Sequence, residues 1–251
     1  MFNAPGFDDA PLIDLIYGAP KTIQFVYPYY ENPKFFQIQL DTWRSYPPTL
    51  RERIKVIVVD DGSPDSPAEY VLRGQEFPYQ LRLFRIEVDV RWNWSAARNI
   101  GMRHAEEGWV VMTDMDHVIE RDVAMRLTAG QHDPEMIYRF SRREHNGKKI
   151  RHHPNSMLMT REMFWLIGGY DEALAGYYGT DADWRRRCAK HTKVATLRDE
   201  LVRYERFGDS STTRYKRLQP EDAAVAQIIS ARNADWRPKT LSFPYHEVRC
   251  G

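Results

Sequence analysis

Cysteine is scarce in this sequence: Cys188 and Cys250 are the whole complement, far apart and in no CxxC spacing. Such usage excludes a disulfide scaffold and a thiolate zinc site, and it fits a reducing cytoplasm. A long apolar run is also missing. No window approaches the roughly 20 apolar residues that a membrane span requires. The first residues carry Asp8, Asp9 and Asp14 where a secretion signal would have a basic start and an apolar stretch. Membrane contact, if any, would be peripheral. Nor is there an excess of charge: 36 Lys and Arg stand against 35 Asp and Glu, so no overall field draws the protein to nucleic acid or an acidic membrane. Internal repeats and low-complexity tracts are absent.

What remains, 251 residues of mixed composition, is enough for one large α/β domain. Residues 22–27 read as a strand stopped by Pro28, and 54–59 as a nearly continuous β-branched run ended by Asp60-Asp61-Gly62-Ser63. Between them, 34–46 has helical spacing of Phe35, Phe36, Ile38, Leu40 and Trp43, which gives a right-handed β-α-β unit. A third strand over 81–88, a helix over 95–107 and a strand over 109–113 running into Asp114-Met115-Asp116 extend the pattern. The acids therefore gather at the carboxyl ends of strands, where open parallel sheets bind ligands. The second half reads differently, with strands at 136–141 and 156–160 in a mixed sheet and helices at 161–167 and 180–190. A polar segment, 209–217, marks the edge between a catalytic domain over 1–215 and a C-terminal segment over 216–251 that packs on it.

Asp114 and Asp116 sit two apart at a strand end, a spacing that aims both carboxylates to one side. They can share a hard divalent ion such as Mg²⁺ or Mn²⁺, which prefers oxygen ligands, or they form a solvated acidic turn. Asp60 and Asp61 either belong to an ordinary turn or offer one carboxylate to the base or ribose of a nucleotide, with Gly62 permitting close backbone approach. Arg98 suits a phosphate or a structural ion pair. Gly168-Gly169-Tyr170-Asp171-Glu172, followed by Gly179-Thr180-Asp181-Ala182-Asp183-Trp184, joins a glycine-rich loop to an acidic helix start. Backbone at Gly169, rings at Tyr170, Tyr177, Tyr178 and Trp184, and a carboxylate are the materials of a sugar-acceptor pocket. Thr180 as N-cap with Asp183 three residues on also approximates a capping box, which would occupy Asp183 and leave Asp181 free. Basic stretches at Arg142-Arg143, 148–153 and Arg185-Arg186-Arg187 could face an anionic acceptor or simply be solvated.

In content and order, Val58-Val59-Asp60-Asp61-Gly62-Ser63, Ala96-Ala97-Arg98-Asn99-Ile100-Gly101, Asp114-Met115-Asp116 and the two glycine-acid motifs at 168–172 and 179–183 resemble family 2 glycosyltransferases and their GT-A relatives. The likeness covers roughly residues 20–215. It implies a GT-A fold, with a Rossmann-like nucleotide-binding half and mixed central sheet joined to an acceptor-binding half. The implied activity is metal-dependent, inverting transfer from a nucleotide-diphosphate sugar, such as a UDP-sugar, to a hydroxyl acceptor: a glycan, a lipid-linked sugar or another, including an anionic one. On that basis Asp181 is the general base, and Pro28, Tyr30, Asp60, Asp61, Arg98 and Asp114 lie on the donor. Gly169, Tyr170, Asp183 and Trp184 lie on the acceptor, and Asp114 and Asp116 on a Mn²⁺ or Mg²⁺ ion.

The sequence departs from the family pattern twice. Thr180 stands where a glutamate is usual, and the histidine often found after the last core strand is missing from Val202-Arg203-Tyr204-Glu205-Arg206-Phe207. His246 is the expected replacement metal ligand, brought by a C-terminal segment folding over the donor. Two other functions compete with this one. A sugar-phosphate nucleotidyltransferase would need a glycine-rich basic loop after the first strand, and Tyr27-Pro28-Tyr29-Tyr30-Glu31-Asn32 is neither. A non-catalytic nucleotide-sugar-binding module would have no use for the retained Asp114, Asp116 and Asp181.

Overall fold

A computed structural model describes residues 12–13, 16–17, 21–77, 79–204, 219–233 and 235–249. The polar segment 209–217 and Cys250 lie outside the described residues. Alternation along two apolar strands organises the rest. In β3 (Ile23–Tyr29) the residues Ile23, Phe25, Tyr27 and Tyr29 face one core, and Val26 faces a second. In β4 (Ile54–Asp60) Val56 and Val58 join the first core, and Ile57 and Val59 the second. Both faces are thus buried, as parallel strands require. Helix α1 (Pro33–Arg44), capped by the Asn32 side chain, lays Phe35, Phe36, Leu40 and Trp43 on the first face. Helix α4 (Trp94–His104) lays Ala96, Ala97 and Ile100 on the second.

Short helices α2 (Pro48–Arg51) and α3 (Ala68–Leu72) flank β4, and β5 (Gln80–Ile86) follows. Then β6 (Trp109–Met112) returns to the other side of β3, completing a parallel β6-β3-β4-β5 block. The remaining strands are β1 (Leu12–Ile13), β2 (Ile16–Tyr17), β7 (His117–Val118), β8 (Gly130–Gln131), β9 (Met136–Glu144), β10 (Lys149–Ile150), β11 (Met157–Thr160), β12 (Lys193–Arg203) and β13 (Tyr245–Val248). The main sheet runs β1-β12-β9-β11-β6-β3-β4-β5-β13, with β11 antiparallel to both neighbours; β2 and β8 pair separately. Helices α5 (Arg121–Ala129), α6 (Arg161–Leu166), α7 (Asp181–His191) and α8 (Ala224–Ser230) complete the chain. No helix among the described residues is long and apolar enough to cross a membrane.

Pro28 does not stop its strand. The Val26 carbonyl accepts from Thr113 N–H and the Tyr29 carbonyl from Asp61 N–H, so Pro28 turns its nitrogen to the β6 side. The β3–β6 pairing has already ended there, at Val26 and Met112, and no ladder bond is lost.

The C-terminal residues are fastened to the sheet and to the acids of the Gly168–Glu172 turn. β13 pairs antiparallel with β5. Glu172 is 4% exposed and accepts from Asn99 Nδ2, Leu241 N–H and Ser242 N–H. Arg232 reaches both Asp171 (2.6 Å) and Asp183 while its guanidinium stacks 3.7 Å above Trp236. These buried carboxylates are therefore neutralised by a residue some 50–60 positions downstream.

Candidate active site

The chain leaves β3 toward β4 on one side and comes back to β6 on the other, which makes the β3–β6 boundary the switch in strand order where such sheets bind ligands. A cavity of about 550 Å³ opens there. Pro28 and Tyr30 enter it from the end of β3, Asp61 from β4, and Asp114, Asp116 and His117 from the turn after β6. Trp92, Trp94 and Arg98 enter around the start of α4, and Tyr178 and Asp181 at the start of α7.

The two neighbouring acids after β4 have separate tasks. Asp60 spends one oxygen on Ser63 N–H and the other on Ala68 N–H, both at 2.8 Å. It pins its own turn and does not line the cavity. Gly62 belongs to that turn: its φ of +74° suits glycine, and a Cβ would strike the Val88 carbonyl. Asp61, 5% exposed, lines the cavity with its Oδ1 unpartnered among the described residues. Burial, reinforced by Asp60 and Asp89, pushes its carboxyl well above the usual carboxylate range. A buried acceptor without a donor, at the wall of a cavity, is what a ligand N–H or O–H would satisfy.

Asp114 and Asp116 sit in a network that the sequence alone does not reveal. Arg98, 1% exposed and stacked 4.6 Å from Trp94, pairs with Asp114 Oδ1. His153 Nε2 lies 3.2 Å from the other Asp114 oxygen. Burial brings the His153 ring down to about 3 against the pull of Asp114, so it is neutral. Asp116 Oδ1 is 2.7 Å from His117 Nδ1. Arg142 lies 2.8 Å from His117 Nε2 and can only donate, which assigns the imidazole proton to Nδ1 and makes that nitrogen the donor to Asp116. Burial alone would raise the Asp116 carboxyl; His117, donating through Nδ1, with Arg142 behind it, outweighs that and holds it well below the usual range. Its Oδ2 takes no hydrogen bond from a described residue.

Across the cavity, Asp181 opens α7 and lies 3.4 Å from Arg185, one turn on. It is not free, as the capping-box reading had it; Arg185 orients it. The Thr180 side chain makes no cap bond. Asp183 is instead tied to Arg187 at 3.1 Å and to Arg232, with its side chain 6% exposed, so it turns into the body and away from the cavity. Trp184, Tyr170 and Phe164 pack on one another, with centroids 4.7–6.0 Å apart, because apolar rings at these spacings fill the second core. Gly169, at φ +65°, is packed too tightly for a Cβ, which would meet Asn99 and Trp165 at 3.0 Å. None of these four expected acceptor residues, Gly169, Tyr170, Asp183 and Trp184, lines the cavity. His246 does not either: in β13 it pairs with Arg85 of β5 and its Nδ1 is 3.3 Å from Glu87, so the C-terminal strand carries it to the sheet edge. The histidines beside the acids are His117 and His153. His117 directly follows Asp114-Met115-Asp116, the one local hint of its place.

Among the described residues no three His, Cys, Asp or Glu side chains converge to cage a metal. A hard divalent ion in a diphosphate site needs no cage, since one or two carboxylates and the substrate's own phosphate oxygens complete its shell. Asp116 fits: it is ionised, oriented by His117 and keeps one oxygen uncommitted. Asp114, shared between Arg98 and His153, is the weaker candidate.

Solved structures with a similar fold include complexes with nucleotide sugars or nucleotides. The UDP-GlcNAc complex of S. aureus TarS residues 1–349 superposes with a TM-score of 0.64 at 15% identity, over 83% of this chain and 65% of that one. The mannosyltransferase PcManGT of Pyrobaculum calidifontis, with GDP-Man and Mn²⁺, gives 0.56 at 20% identity over 73% and 58%. GalNAc-T7 with UDP, GalNAc and Mn²⁺ gives 0.56 at 13% over 80% and 45%. This chain spans less than two thirds of each. No curated protein matches the sequence. The family 2 glycosyl transferase model matches residues 25–183, more than half of the sequence. The chain belongs to glycosyltransferase family 2, and its mixed sheet is the GT-A fold of that class.

Proposed function

We propose that this chain transfers a sugar from a nucleoside-diphosphate sugar, a UDP-sugar foremost, to a hydroxyl acceptor with inversion, and that Mn²⁺ or Mg²⁺ takes part. One observation carries the reading: Asp61, Asp116 and Asp181, from three separate elements, line a single cavity at the sheet's switch point. Asp61 accepts hydrogen bonds from the base or ribose, filling its empty Oδ1, while Pro28 and Tyr30 flank the nucleotide. Asp60 acts one step back by fixing the turn. Asp116, with a lesser share from Asp114, would hold the cation, whose chemistry is to neutralise charge on the leaving diphosphate. Asp181, aimed by Arg185, takes the proton of the acceptor hydroxyl as its oxygen bonds to the anomeric carbon, and the sugar–phosphate bond breaks to release nucleoside diphosphate. The UDP in the TarS and GalNAc-T7 complexes supports the choice of nucleotide, and the Mn²⁺ with PcManGT and GalNAc-T7 supports the cation.

The test is a thermal-shift screen of UDP-, GDP- and dTDP-sugars with Mn²⁺, Mg²⁺ or chelator, followed by release of nucleoside diphosphate from any that bind. A donor at 100 times its Kd stabilises by about 2.7 kcal/mol. Stabilisation by one nucleotide class, dependent on the cation and lost in Asp61→Asn, is expected; indifference to every nucleotide sugar would refute the proposal.

A further inference from the structure

The turn between β5 and α4 carries a cluster of unfavourable features in a small space. Trp92 holds φ at +53°, a conformation costly for a bulky side chain. Its indole Nε1–H is buried with no hydrogen-bond partner among the described residues, and neither amide atom of the adjacent Asn93, 0% exposed, has one. Strain and orphaned polar groups at one turn need compensation from the rest of the fold. The compensation is visible. Arg91 is gripped by Asp222 through two parallel contacts of 2.9 and 2.8 Å, and Arg91 also donates to the Gly176 carbonyl at 2.5 Å. The same Asp222 accepts from Tyr178 N–H at 2.7 Å. One carboxylate from the C-terminal segment thus locks together the turn bearing Trp92 and the loop bearing Tyr178. Their rings stand 5.1 Å apart with planes inclined by 56°, and both line the cavity. Tyr178 is 37% exposed and lies three positions before Asp181.

We infer that Trp92 and Tyr178 form the acceptor subsite, an aromatic platform for the apolar face of a sugar ring, and that the Arg91–Asp222 pair holds it in position. The acceptor is then a carbohydrate hydroxyl. Aromatic faces match the C–H face of a pyranose, the Trp92 Nε1–H finds its missing acceptor in a ring hydroxyl, and a neighbouring hydroxyl comes to Asp181 from the Tyr178 side. The inference rests on the proposed transferase reading for the role of Asp181, whereas binding of a sugar to the platform can be read without any donor.

The probes are methyl glycosides of glucose, galactose and N-acetylglucosamine, with glycerol 3-phosphate as a non-sugar anionic alternative, titrated into the full chain by calorimetry and by the indole N–H signals in NMR. At least one methyl glycoside is expected to bind saturably and to shift the Trp92 indole resonance, assigned with Trp92→Phe. Tyr178→Ala, a change at a half-open surface, and Trp92→Ala should each weaken it on the order of tenfold, with Trp92→Phe recovering much of the loss by restoring the ring. Asp222→Asn should weaken the glycoside in the same direction and raise acceptor KM rather than lower kcat, as expected of a positioning residue. No glycoside binding at about 100-fold the protein concentration and above would overturn the inference. So would unchanged affinity in both Trp92→Ala and Tyr178→Ala, or capture of glycerol 3-phosphate alone. If glycosides bind and no nucleotide sugar does, the platform stands and the transferase reading fails, so the two failures are distinguishable.

Discussion

Replacing Asp61 with asparagine should make the protein more stable and a poorer binder at once. The carboxyl is 5% exposed, one oxygen has no donor, and burial with Asp60 and Asp89 nearby holds its pKa well above the usual value. The folded state therefore binds a proton more tightly than the unfolded chain. The stability this group contributes is fully present below the unfolded value near pH 4 and declines as pH rises toward the folded one. At neutral pH the unfolded chain is ionised at no cost while the native one is penalised. The asparagine would keep the shape, and with it an unpartnered oxygen, but remove the cost of ionising a buried carboxyl, a gain of about 1–3 kcal/mol. In a chain of this size that is roughly 2–12 °C in Tm. The same change removes a charge-assisted acceptor from the cavity, so donor affinity should fall about 10- to 100-fold. Calorimetry of both proteins at pH 4, 6 and 8, with donor titrations at pH 8, measures both effects. The reasoning is refuted if the Tm gain is absent at pH 8, or if it is as large at pH 4 as at pH 8.

Three further outcomes are expected. Asp116→Asn should abolish the cation-dependent part of donor binding, whereas Asp114→Asn should only weaken it, because Arg98 and His153 already share that carboxylate; donor titrations with Mn²⁺ and with chelator separate the two. Asp181→Asn should cost on the order of 10² to 10⁴ in kcat with normal Tm. Asp183→Asn should instead lose about 3–5 kcal/mol of stability, because it strips Arg187 and Arg232 of a buried partner. Burial lowers His132 to about 4, so the native ring resists a proton that the unfolded chain accepts near pH 6.5. Stability should therefore drop as pH falls from about 6.5 toward 4, and His132→Asn should show a shallower decline in urea melts across that range.

How far the sequence foretold this molecule differs from residue to residue. The strands before Asp60 and before Asp114 were legible because β-branched runs buried on both faces leave little other reading, and their acids follow at the tips. Which of Asp60 and Asp61 faces the cavity was not, since the answer lies in the amides of Ser63 and Ala68 meeting one carboxylate and missing the next. Proline at 28 looked like a stop because the early end of β6 beside it has no local signature. Asp171, Glu172 and Asp183 resembled parts of an acceptor pocket; their partners Arg232, Leu241 and Ser242 lie about 50–70 positions away, beyond the reach of periodicity or capping rules. His246 was proposed only to fill a gap in a pattern, and β13 pairing places it elsewhere. Trp92 carried no motif, and its place emerges only when Asp222 brings two loops together.

The fastening of residues 219–249 also sets an order of events during synthesis. A chain emerging at roughly 5–20 residues per second completes β3 to β12 before Asp222, Arg232 and β13 exist. In that interval of a few seconds Arg91 lacks its carboxylate, Asp171 and Asp183 lack Arg232, and β5 presents an unpaired edge that invites association with other strands. The nascent protein is thus latent as well as vulnerable: it possesses every carboxylate of the cavity but not the clasp that holds its walls in register. On the proposed reading, the acceptor side of the cavity takes shape only with those later elements.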